Sequence, residues 1–97
     1  MEQTYHVYIL ASGRNGTIYI GVTGNLSQRI WQHRNGEGSK FAAKYDVHRL
    51  VHAEAFADVN EAIAREKAMK KWRRDWKLEL IERDNPQWLD LYEHLNG

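Results

Sequence analysis

The 97-residue chain has no cysteine, which excludes disulfides, thiolate metal sites and a cysteine nucleophile. That absence fits a reducing compartment, and the cytoplasm is the expected location. No apolar run approaches the ~20 residues needed to span a bilayer. The start, Met1-Glu-Gln-Thr-Tyr-His6, lacks the basic and apolar segments of a secretory leader. The expectation is therefore a chain with no membrane association. Proline occurs once, at Pro86, and neither a repeat nor a low-complexity linker interrupts the sequence. A net charge of +1 says nothing by itself about a polyanionic partner.

Hydrophobic residues make up 42% of the chain and charged residues 28%, a balance that favours a folded domain over disorder. The length suits a single domain over residues 1–97. Four tryptophans and five tyrosines enlarge the core such a chain can bury. Charge is unevenly distributed. Lys67, Lys70, Lys71, Arg73, Arg74 and Lys77 crowd into one stretch, and Lys40 and Lys44 form a smaller basic segment. A run of this kind reads first as a solvated helix face, and secondly as a surface that attracts nucleic acid.

Tyr5 to Leu10 alternates and is rich in strand formers, and Thr17 to Val22 reads as a second strand. Asn15-Gly16 between them signals a hairpin. A helix is expected from Asn25 to about Arg34, with Asn25 and Gln28 as a capping box and Asn35-Gly36 as the stop. Glu37 to Lys44 is a glycine-containing loop or short helix. Arg49 to Phe56 reads as a third strand. Asp58 and Glu61 suggest another capping box, opening a helix from Val59 to about Trp72. A basic continuation follows after a bend, through Trp76 to Arg83, and ends at Asp84-Asn85-Pro86. Gln87 to Leu95 is a candidate short helix. The order β-β-α-β-α-α predicts an α+β fold: a small three-stranded antiparallel sheet flanked by helices.

Three features hint at chemistry. Arg29 and His33 stand at i and i+4 on one helical stripe beside Leu26 and Ile30, an arrangement suited to a phosphate clamp or to a surface arginine beside a half-buried histidine. Glu66 falls within the apolar stripe of Ala62, Ile63 and Met69. A carboxylate there must be paired, protonated or metal-bound. A structural ion pair to Arg29 or a nearby lysine and a Mg²⁺ ligand are equally open readings. Tyr8 and Tyr19 lie mid-strand among apolar residues, where tyrosines are usually core, although Gly21 allows a close approach beside Tyr19.

Together these residues resemble the GIY-YIG nuclease superfamily. Its two strand motifs correspond to Val7-Tyr8-Ile9 and Tyr19-Ile20-Gly21, its arginine helix to Asn25–His33, and its glutamate helix to Glu61-Ala-Ile-Ala-Arg-Glu66. The last is similar to the pattern in the N-terminal nuclease domain of the UvrC repair protein. Lys70-Lys71-Trp72 and Asn85-Pro86-Gln87-Trp88 further resemble the small stand-alone bacterial YhbQ-like, or UPF0213, group. The resemblance covers nearly the whole chain. Val7 replaces the glycine of the first motif, and Val22 stands where the repair nuclease has a lysine. No Pro-x-Tyr-Asn sequence follows the glutamate helix, leaving Asn85 as a substitute at longer spacing.

The resemblance implies Mg²⁺- or Mn²⁺-dependent hydrolysis of phosphodiesters in DNA, with RNA as the second candidate, in DNA repair or processing. It makes Glu66 the metal ligand and places Tyr8, Tyr19, Arg29, His33 and Asn85 in the catalytic set. Lys40, Lys44, Lys67, Lys70, Lys71, Arg73, Arg74 and Lys77 would track the nucleic-acid backbone. With no second DNA-binding domain, a protein partner that targets the substrate is expected. The competing readings are a non-catalytic nucleic-acid-binding module and a protein-interaction module built on the tryptophans.

Overall fold

The computed structural model describes residues 3–96. Strand β1 (Tyr5–Ala11) pairs antiparallel with β2 (Ile18–Thr23) on one side and with β3 (Arg49–Phe56) on the other, giving the sheet order β2-β1-β3. Helices α1 (Leu26–Arg34) and α2 (Lys40–Lys44) precede β3. Helices α3 (Val59–Lys71) and α4 (Arg74–Asp84) follow it, and a 3-10 helix (Leu91–Asn96) ends the described chain. The expected three-stranded antiparallel sheet with flanking helices is present, and of residues 37–44 the stretch Lys40–Lys44 is helical while residues 37–39 are loop.

The alternation read in β1 does not produce one wet face. Val7 through Ala11 are all buried, because β1 is the central strand and both faces of the sheet are covered. Val7, Ile9 and Ala11 face a cluster with Ala62 and Met69 of α3 and Leu80 and Ile81 of α4. Tyr8 and Leu10 face the opposite cluster, with Leu26 and Ile30 of α1, Ala42 of α2 and Leu50 of β3. A bulge between Ile9 and Leu10, where β3 carries one extra residue, lets Val51 serve the first cluster and Leu50 the second.

Asn25 and Asp58 cap α1 and α3 as the sequence signals, but neither capping box closes: among the described residues no Gln28 or Glu61 side chain bonds back to the cap backbone N–H. Asn25 accepts from the Gln28 amide at 3.2 Å, as an N-cap should. The Gln28 side chain returns to the Asn25 side-chain amide (3.3 Å), while the Asn25 backbone N–H goes to Thr23 Oγ1 (3.1 Å). The capping box is thus replaced by a three-residue relay. Asp58 caps α3 by accepting from Asn60 N at 3.0 Å. Between α3 and α4 the backbone of Trp72 and Arg73 turns extended, which is the expected bend.

The chain after α4 folds back as a plug. Trp88, at positive φ (57°), is fully buried in the α3/α4 cluster, and its indole N–H donates to Glu82 Oε2 at 2.8 Å. Asn85 makes this turn possible. Its amide nitrogen donates to Val51 O (3.1 Å) and Leu89 O (2.9 Å), and its oxygen accepts from Leu89 N (2.9 Å).

A tyrosine and histidine cluster as the candidate active site

The register of β1 against β2 places Tyr8 opposite Gly21 and Leu10 opposite Tyr19, so both tyrosines point toward α1. The Tyr8 ring lies over Gly21, where a Cβ would come within 2.4 Å of the Tyr8 hydroxyl. Gly21 therefore makes room for a side chain of this chain itself. From α1, His33 reaches in until its Nε2 is 3.1 Å from the Tyr8 hydroxyl, with Tyr19 completing a three-ring cluster. The ring centroids are 5.9 Å apart for Tyr8 and His33, and 5.4 Å for Tyr19 and His33. Gly38 plays the part for His33 that Gly21 plays for Tyr8, since a Cβ there would fall 2.4 Å from Nδ1.

Arg29, one turn before His33, places its guanidinium near enough to Tyr8 and Tyr19 to act on both phenols, and it donates to Gln32 Oε1 at 3.2 Å. Burial pushes the Tyr8 phenol up to about 12, and the Arg29 contact pulls against that rise. Nearby Glu66 adds to the rise, because its negative charge opposes a phenolate. The Arg29 pKa is raised, first by its contact with Tyr8. Burial, and then the Arg29 charge, depress the His33 imidazole below its usual range. The ring is consequently neutral at physiological pH, and among the described residues its buried Nδ1 has no hydrogen-bond partner.

Glu66 stands on the inner face of α3 as helical spacing required, with its side chain 14% exposed. Lys70 pairs with Oε2 at 3.2 Å. Such an i,i+4 pair is worth only about 0.3–0.5 kcal/mol, little enough for a divalent cation to displace. Among the described residues no set of three or more His, Asp or Glu side chains converges as a chelating cage. A lone, partly buried carboxylate fits a hard cation that keeps most of its water shell.

Asn85 does not join this group. Both N–H donors of its amide and its carbonyl oxygen are committed to backbone groups of β3 and the closing turn, in a position buried to 6% exposure. The turn between Asn85 and Trp88 explains why this residue type is needed there.

The basic residues divide into three groups. Lys70 and Lys77 line a cavity of about 300 Å³ together with Tyr19, Ile18, Ile20 and Phe41. Lys40, Lys44, Lys67 and Lys71 are exposed. Arg73 pairs with Asp75 at 3.1 Å, and Arg74 donates to the hairpin carbonyls of Asn15 and Gly16 (2.9 and 2.7 Å). Arg74 is therefore tied to the β1–β2 turn.

Sequence reasoning missed Phe41, whose ring stacks on Tyr19 at 6.2 Å. It also missed Gly38 as the packing partner of His33, and the contact of Arg65 with Glu54. The Arg65 guanidinium donates to both Glu54 oxygens (2.9 and 3.1 Å), and His52 meets the same carboxylate at 2.8 Å. Burial alone would raise the Glu54 pKa, but these partners outweigh it and leave the carboxyl below its usual range.

Comparison with known proteins identifies the family. Residues 4–79 match the family model for the GIY-YIG catalytic domain. A UPF0213 protein of Bacillus licheniformis is 32% identical over 93% of this chain and 93% of its own length. One from Clostridium perfringens is 41% identical over 78% of this chain and 81% of its own. The solution NMR structure of a UPF0213 protein from Bacillus halodurans superposes with a TM-score of 0.54 at 32% identity, covering 84% of this chain and 86% of that one. The chain belongs to the GIY-YIG family, whose catalytic domain is of the endonuclease type, and is similar to UPF0213 proteins along most of its length.

Proposed function

We propose that this protein is a metal-dependent endonuclease that hydrolyses phosphodiester bonds in DNA, with RNA as the alternative polymer, and serves DNA repair or processing in the cytoplasm. The observation that carries the reading is the buried Tyr8 hydroxyl, held between His33 Nε2 and the Arg29 guanidinium with the Glu66 carboxylate close by. A core tyrosine needs one partner for its hydroxyl, and this one is surrounded by groups that trade protons and hold anions.

Glu66 would hold Mg²⁺ or Mn²⁺, and the ion would draw negative charge from a phosphoryl oxygen. Arg29 binds the phosphate through the remaining donors of its fork and steadies charge that grows on the phosphoryl oxygens during attack. Tyr8, with its pKa near 12, keeps its proton at rest. It accepts a proton from the attacking water only as it passes its own to His33 Nε2, whose neutral ring is ready to receive it. Tyr19 flanks the imidazole and limits its motion.

Lys40, Lys44, Lys67 and Lys71 follow the polymer backbone, which brings affinity without sequence preference. Among the described residues no helix is long and apolar enough to cross a membrane. A separate protein partner would position the substrate.

Cleavage of plasmid and oligonucleotide substrates with and without Mg²⁺ or Mn²⁺ tests the reading. Glu66→Ala should abolish turnover and Tyr8→Phe should cut it to a small residual rate, while circular dichroism stays unchanged. Equal cleavage by wild type and both variants would mean a contaminating nuclease and remove the assignment. The Glu66–Lys70 pair favours one other reading, a nucleic-acid-binding module in which the carboxylate is only structural. Salt-sensitive binding with no turnover in any metal would mark it.

A further inference from the structure

The cavity beside Tyr19 is built from different materials than the proton-transfer cluster. Its walls are apolar, formed by Ile18, Ile20, Phe41 and the Tyr19 ring, and Lys70 and Lys77 supply its charge. At about 300 Å³ it lies at the small end of pockets that hold organic ligands. Phe41 stacks on Tyr19 with 29° between the planes, yet 43% of its surface remains in contact with solvent. Tyr45 extends the row at 4.9 Å from Phe41, with Lys44 5.4 Å from its ring centre.

Phe41 is held outward by its own helix. Ser39 Oγ caps α2 by accepting from Phe41 N at 3.1 Å, and the buried Ala42 and Val47 pin the helix to the core, with Val47 N donating to Ala42 O at 2.8 Å. An aromatic ring fixed in a solvent-facing position between lysines gains from a flat, apolar partner whose neighbours are anionic. A nucleotide has that composition.

Taking the Tyr8–Arg29–Glu66 cluster as the place where the phosphodiester is handled, we propose that this cavity receives the base of an unpaired nucleotide adjacent to that phosphate, so that the strand is single-stranded where it enters. A base inside a duplex is already covered on both faces and cannot offer one to Phe41 without leaving the stack. Stacking on an aromatic ring tolerates any base, and lysines read only phosphate. The site therefore selects strand structure rather than sequence. Lys70 links the two regions, since it lines the cavity and also pairs with Glu66. Lys77, on α4, donates to the Lys70 carbonyl near the end of α3 at 3.4 Å, which holds its ammonium beside that helix.

The test is fluorescence titration of the full chain at low salt with a chelator present, so that cleavage plays no part. The probes are a short DNA strand carrying 2-aminopurine, the same sequence as RNA, and the DNA strand annealed into duplex. The single strands should bind more tightly than the duplex and lose fluorescence as the base stacks, and the two single-stranded arms identify the preferred sugar. Phe41→Leu keeps apolar bulk without a ring face and should weaken single-strand binding about tenfold, while Phe41→Trp restores it. Circular dichroism of both variants confirms the fold. Duplex binding as tight as single-strand binding, or full affinity in Phe41→Leu, overturns the proposal. A protein that binds in the expected way yet never cleaves with metal added keeps this site and loses the nuclease reading.

Discussion

The Tyr8 hydroxyl rests directly against the Cα of Gly21, its cross-strand partner, and a methyl group at position 21 would have to occupy the space the phenol fills. The glycine is thus a steric condition for the position of Tyr8, and through it for the 3.1 Å contact with His33.

Gly21→Ala should therefore act on activity through Tyr8. The ring has no easy retreat, because it is buried between Leu26, Ile30 and the sheet. A displacement near 1 Å at a reacting group costs on the order of a hundredfold in rate. Cleavage should fall by that amount in Gly21→Ala, yet fall little further when the change is added to Tyr8→Phe, which already lacks the hydroxyl. A double-mutant cycle reads this coupling directly. Additive losses would show that Gly21 acts elsewhere.

The depressed pKa of His33 sets two pH dependences with the same sign. In the unfolded chain the ring titrates near 6.5, whereas in the fold burial and Arg29 hold it lower. Between those two values the unfolded state carries more protons, so stability is complete above pH 6.5 and declines as the pH falls through the folded pKa. His6, also depressed by burial, pulls in the same direction. Thermal melts should show Tm dropping as the buffer is taken from pH 7 toward 5. The rate should decline over the same interval, since a protonated Nε2 cannot take the Tyr8 proton. His33→Gln, which bonds to tyrosine but does not titrate, should lower the rate about a hundredfold and remove the acid limb. Persistence of that limb in the variant would place the titrating group outside His33.

Asn85 is expected to matter for folding. Its removal strips partners from the buried Val51 O and from both backbone groups of Leu89, which are only partly buried. Buried groups left in this way destabilise by about 1–3 kcal/mol each, less where the turn can relax. Asn85→Ala should lower the urea midpoint by an amount equivalent to about 2–4 kcal/mol, with cleavage per folded molecule retained. Full stability with lost cleavage would return Asn85 to the catalytic set.

How far the site could be read in advance depended on whether a residue's environment was local. Glu66 was legible because helical periodicity alone puts it between Ala62 and Met69, and α3 is long enough to show the period. Arg29 and His33 shared a stripe for the same reason. Gly21 announced a close approach, but its partner depends on cross-strand register, which is fixed only when β1 and β2 pair. The part Asn85 plays in the fold was not legible because its partners are 34 residues upstream, on Val51, and beyond a turn whose Trp88 adopts positive φ. Phe41 went unnoticed since α2 has five residues, too few for periodicity to say which side faces out. The burial of all of Val7 through Ala11 likewise required knowing that β1 lies between two partners.

Arg29 offers the sharpest separation of charge from shape. Its guanidinium acts on the phenols of Tyr8 and Tyr19 while Gln32 holds one of its nitrogens at 3.2 Å. A lysine at this position keeps the charge but has a single ammonium in place of a planar fork, so it cannot reproduce these contacts and bind a phosphoryl oxygen together. Arg29→Lys should reduce kcat by about a hundredfold and raise KM by less, because the lost donors bind the phosphate but serve chiefly the charge that develops during attack. Arg29→Met removes the charge as well. It should also raise the Tyr8 pKa further, since the Arg29 contact is what opposes the effect of burial there. Phenolate absorbance in an alkaline titration would report that rise at Tyr8, identified by comparison with Tyr8→Phe. If lysine restores full kcat, the fork is unnecessary and Arg29 contributes only a positive charge.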